Sequence, residues 1–147
     1  MLSMSTYPQD YIDGCRRLVE TQLASYRALV AATGAPGDDR AGLNAAVADF
    51  ETRFLNSMLL VLDQLFVHRA RAKEGKDGNP LNEVRVLCRS IMENDGVMVA
   101  DKSINLSPAT SVLKHAVGDR IGLTPSDFAL LSEAYFAEIE RRFAEPS

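Results

Sequence analysis

The stretch FLNSMLLVLDQLFV, residues 54–67, decides the fold. Wound as a helix it is apolar nearly all the way round, with Asn56 and Asp63 among its interruptions. A helix of that kind is surrounded by partners. It is too short to cross a bilayer, which takes about 20 apolar residues. The partners are therefore other helices of this chain and, we expect, a second copy of it. So little of the section suits water that a homodimer assembled through it is the expected state.

Working outward, the section forms the second half of a helix over about 41–73, roughly 50 Å long at 1.5 Å per residue. Its first half is amphipathic, with Leu43, Val47, Phe50 and Phe54 on one stripe. Upstream, residues 8–33 read as another long helix, because Ile12, Cys15, Val19, Leu23, Tyr26 and Val30 recur at steps of three and four. GAPGDDR (34–40) separates the two, and Asp38 and Asp39 suit the start of the second helix. A connection this short makes the two long helices antiparallel neighbours.

Downstream, EGKDGNP (74–80) ends the second helix, and Asn79-Pro80 reads as a cap followed by proline at the first position of a short third helix. That helix runs over about 80–94. Leu81, Val84, Leu87, Cys88 and Ile91 face inward; Asn82, Glu83, Arg85, Arg89 and Glu93 are expected outside. Asn94-Asp95-Gly96 is its stop. Residues 97–123 lose the helical period. KSINL (102–106) and DRIGL (119–123) alternate and are expected to pair as a minor β-hairpin, with a single helical turn at Ser107-Pro108 between them. Thr124-Pro125-Ser126-Asp127 starts a last helix that runs to about 144 and buries Phe128, Leu131, Tyr135, Ile139 and Phe143. The expected fold is all-α: a four-helix bundle-like arrangement of two long helices, one short helix and a long C-terminal helix, plus the minor two-stranded hairpin, in one domain over 1–147.

The bulk numbers narrow the function classes. A hydrophobic content of 46% and a charged content of 24% are those of a globular chain. A net charge of −4 argues against nucleic acid as a partner. MLSMSTYPQD has no basic region followed by an apolar core, so a cytoplasmic protein with no membrane partner is expected. Cys15 and Cys88 have no neighbouring thiol and sit at apolar helical positions, which makes them buried free thiols. No HxxxH pair, calcium-loop spacing or GxSxG elbow occurs, and neither a metal nor a cofactor is expected. Asp63 is the acid most suited to partial burial, as a polar anchor paired with an arginine or a hydroxyl.

One segment gathers charge. HRARAKEGKDGNPLNEVR (68–85) holds most of the six Lys and Arg residues that fall between 69 and 89. Arg69, Arg71 and Lys73 would complement the negative end of the second helix. His68 continues the stripe of Phe54 and Val61, so it is expected to point toward the end of the core. The amides of Leu81 and Asn82 open the third helix, where an anion is favoured. A small anionic ligand held by His68, Arg71, Lys76, Asn79, Asn82 and Arg85 is the site this segment offers. The competing account is that Glu74, Asp77 and Glu83 neutralise these cations. The function read from the sequence is a non-enzymatic, homodimeric helical protein acting through protein or small-ligand contacts. An enzyme or sensor using the 68–85 segment is the alternative.

EGKDGNPLNEVR (74–85) and VGDRIGLTPSDF (117–128) resemble segments of small helical proteins of actinobacteria that carry no assigned function. The resemblance covers the chain from about residue 60 onward. It implies a stand-alone helical protein and transfers no catalytic residue.

Overall fold

The structure, a computed structural model, describes residues 3–33 and 40–146. Five helices follow one another: α1 (Gln9–Ala32), α2 (Arg40–Leu65), the single turn α3 (Arg71–Glu74), α4 (Pro80–Glu93) and α5 (Pro125–Phe143). The protein is all-α, with α5 packed on α1 and α4, and α2 packed against α1, α4 and α5. The expected caps Asp38 and Asp39 lie outside the described residues.

The stripes read from the sequence become the core. Ile12, Cys15, Val19, Leu23 and Tyr26 of α1 are buried, as are Phe128, Leu131, Tyr135, Ile139 and Phe143 of α5. The start of α5 is a complete capping box: Thr124 accepts from the Asp127 amide, and Asp127 accepts from the Thr124 amide. Asn79 Oδ1 accepts from the Leu81 amide at 2.9 Å, with Pro80 opening α4. Gly96 takes the left-handed conformation after α4, with φ +76°.

The second helix is shorter than its periodicity implies. It ends at Leu65, not near 73. Side chains from elsewhere take its last carbonyls: Tyr11 Oη donates to Leu65 O at 2.6 Å, and Arg69 Nη1 donates to Phe66 O at 3.0 Å. Three i→i+3 bonds, from Phe66 to Asp63 O, Val67 to Gln64 O and Arg69 to Phe66 O, tighten the turn over 63–69. Arg69, Arg71 and Lys73 therefore do not sit in the last turn of this helix. The N-terminal segment then lies across the turn, where Met4 donates to His68 O and Ala70 donates to Met4 O. Tyr7 in turn exchanges backbone bonds with Phe143 and Glu145 at the end of α5.

The expected hairpin between 102–106 and 119–123 is absent among the described residues. DRIGL pairs instead with the residues just after α4: an isolated antiparallel bridge joins Val97 to Arg120, Met98 donates to Asp119 O, and Ile121 donates to Gly96 O. KSINL docks on the 75–79 loop, where Asn105 donates to Lys76 O. The alternation in KSINL reports one buried residue, Ile104, and not a paired strand. Ser111 and Thr110 both donate to Ser107 O, which makes the single turn expected there.

Candidate functional site

The 68–85 segment folds around a carboxylate. Glu74, the last residue of α3, is fully buried. Its two oxygens accept from Arg69 Nε at 2.7 Å, Arg85 Nη2 at 2.6 Å, Arg85 Nε at 3.0 Å and Asn82 Nδ2 at 2.8 Å. Arg69, also buried, spends its remaining donors on Asp63 Oδ1 at 2.9 Å, Phe66 O at 3.0 Å and Leu81 O at 3.4 Å. Two guanidiniums thus meet two carboxylates, and the cluster is neutral within itself. Charges held this way persist in an interior only when nearly every donor and acceptor is used. Burial alone would raise the Glu74 carboxyl; the bond from Arg85, the charges of Arg69 and Arg85 and the Asn82 amide outweigh it and hold the group below the usual carboxylate range.

Further bonds around it fix the loop over this cluster. Asn82 Oδ1 accepts from the Gly78 amide at 2.9 Å. Asn79 Nδ2 donates to Glu74 O at 2.8 Å and to Asp77 Oδ1 at 2.7 Å. From α5, Arg142 donates to Glu74 O and to Asp77, and at 2.5 Å to Glu138 on its own helix. The hydrogen bond from Asn79, reinforced by Arg142, holds the Asp77 carboxyl below its ordinary value. Glu83 is buried too, and its oxygens accept from the amides of Val112 at 2.7 Å and Leu113 at 2.9 Å. It anchors the long 97–123 connection onto α4.

These placements revise the expected orientations. Asn82 and Glu83 are buried and Arg85 is half-buried, whereas all three were expected on the outside of the helix. Polar side chains turn inward there because α4 packs on a buried carboxylate and on a loop whose amides need acceptors, not only on apolar helices. His68 is exposed, and it is Arg69 that enters the core. The cause is the early end of α2: past Leu65 the stripe of Phe54 and Val61 no longer predicts direction. Arg71 and Lys76 are exposed on the surface. The Leu81 amide is already taken by Asn79. Of the six residues proposed to hold a ligand, Asn79, Asn82 and Arg85 share the Glu74 cluster; His68, Arg71 and Lys76 lie outside it in solvent.

Asp63 is paired with an arginine, as its position within an apolar helix implied. Both cysteines are free and buried. Burial pushes the Cys88 thiol up, and its Sγ reaches Leu59 O at 3.4 Å, which makes it an inert packing group. Among the described residues, no group of three His, Cys, Asp or Glu could hold a metal ion. Among the described residues, no helix is long and apolar enough to cross a membrane. The Glu74 cluster had one legible signal: acids and asparagines (Glu74, Asp77, Asn79, Asn82, Glu83) crowd close to the cations Arg69 and Arg85, the makings of a network that can satisfy itself.

The chain matches no protein-family model, no curated protein and no solved structure.

Proposed function

We propose that the protein is a non-enzymatic homodimeric helical protein that works through contacts with other molecules. The observation that carries this reading is the outer face of α2. Leu43, Phe50 and Val61 are each more than a third exposed, Ala46 and Phe50 border an apolar groove with Tyr26 and Leu29 of α1, and Leu60 is only partly covered. Met92 of α4, 70% exposed, borders the same face beside Leu60, Val61 and Leu65. An apolar helix thus keeps an exposed apolar stripe through Phe50 and Val61 after its core-facing residues Leu55, Met58, Leu59 and Leu62 have been covered. A second copy of the chain, presenting the same stripe, is the simplest cover, since most homo-oligomers close through one self-complementary patch. The Glu74 cluster supports the non-enzymatic half of the reading, because its acid and its guanidiniums are spent on each other. The double variant Val61→Asp with Met92→Asp tests the assignment. It leaves the buried face of α2 intact and is expected to give a folded monomer; a folded dimer would place the interface elsewhere.

A sensor of small anions is the second reading. It draws on exposed Arg71 and Lys76, neither of which holds an ion pair among the described residues. Arg71→Ala with Lys76→Ala is expected to abolish any stabilisation by inorganic phosphate while leaving the unliganded melt nearly unchanged.

A further inference from the structure

A sizeable hollow lies away from the charged segment. It is a groove of about 710 Å³ between α1 and α5, within the size range of small-molecule sites. Its floor is apolar and aromatic: Val19, Leu23, Phe128 and Phe136, all buried. Ser132 lies on the same wall, 7% exposed, and its hydroxyl has no hydrogen-bond partner among the described residues. A helical serine usually returns its hydroxyl to the carbonyl one turn back, as Ser90 does to Val86 O at 2.9 Å. Ser132 does not.

The rim is charged, and its charges are unevenly spent. Arg16 is paired with Glu140, and its guanidinium lies over the Phe136 ring at 5.1 Å. That end of the groove already holds a cation on an aromatic face, with a carboxylate beside it. Farther along, Glu20 on α1 and Glu133 on α5 border the groove from opposite helices, and neither has an ion-pair partner among the described residues. Arg27, about two turns beyond Glu20, is likewise unpaired. With Arg16 and Glu140 cancelling, the rim keeps one uncompensated negative charge.

We propose that this groove binds an organic cation with an apolar body, its ammonium between Glu20 and Glu133 with Ser132 Oγ as a third acceptor, and its apolar part on Phe128 and Leu23. Two carboxylates and an unpaired hydroxyl oxygen are three acceptors, the number of donors a primary ammonium carries. The arrangement repeats, for a ligand, what Arg16, Phe136 and Glu140 do within the chain. An anion would meet the two free carboxylates.

The test is titration calorimetry of the full chain at neutral pH with octylammonium, alongside octanoate and a cationic amphipathic helical peptide. Octylammonium is expected to bind and octanoate not to. Glu20→Gln with Glu133→Gln should weaken octylammonium by about tenfold or more without changing the thermal melt, since both side chains are exposed. Ser132→Ala should weaken it several-fold. Equal binding of octanoate would show that apolarity alone fills the groove and would overturn the proposal. Full affinity in the double variant, or no binding of octylammonium, would overturn it as well. Binding of the peptide alone would make the groove a helix-docking surface instead.

Discussion

Glu74 is the residue on which the charged segment turns. Replacing it by Gln removes one partner from two guanidiniums, one of them fully buried, and should cost about 3–5 kcal/mol. Chemical denaturation reads this directly, and a cost below about 1 kcal/mol would mean that the cluster relaxes toward water. The pH dependence has a definite sign. The folded-state carboxyl is held below its ordinary value, so its contribution is complete at neutral pH. It is lost as pH falls through the ordinary carboxylate range toward the folded value. Glu74→Gln should therefore flatten the acid side of the stability profile, and an unchanged profile would assign acid sensitivity to other groups. At this scale the sequence was partly legible. It showed the crowd of charges, the pairing of Asp63 and the capping role of Asn79. It could not show that Arg69 and not His68 enters the core, because side-chain direction past residue 65 depends on where α2 stops. That stop is set by Tyr11 and by the N-terminal strap through Met4, both distant in sequence.

Among the elements, the connection from α3 to α4 makes the sharpest predictions. Gly78 has φ +85°, and a Cβ added there would lie 2.4 Å from Asn105 O. Gly78→Ala should be strongly destabilising, because both the backbone conformation and the close approach of the 102–106 segment forbid a side chain. Gly122 is the control: an added Cβ meets nothing within 4 Å, and Gly122→Ala should be nearly neutral. Equal thermal shifts for the two would contradict the packing of the KSINL segment on this loop. Asn79→Ala should cost about 1–2 kcal/mol, toward the upper end for a cap, since its amide also serves Glu74 O and Asp77. An unchanged melting temperature would mean that α4 begins elsewhere. The helices themselves were legible because α1, α4 and α5 each carry a 3.6-residue apolar period, and α4 and α5 also start on local side-chain caps. The 97–123 connection was not, because its order comes from non-local acceptors. Glu83 receives the amides of residues 112 and 113, and Ser90 Oγ receives that of Val99. No local pattern encodes those bonds.

For the whole molecule, the apolar section of α2 carries the account. Its core-facing residues Leu55, Met58, Leu59 and Leu62 are covered by the chain itself. None of residues 41–53 is buried, although Leu43, Val47 and Phe50 lie among them. Periodicity identified these residues as an apolar stripe but could not say what covers it, since a stripe facing a second chain and a stripe facing the core read alike. Our proposal is that a second protomer covers it. The most direct test is the mass of the full chain by light scattering at micromolar concentration. The expected result is about twice the chain mass, falling to the chain mass for Val61→Asp with Met92→Asp. A clean monomer mass for the native chain would contradict it.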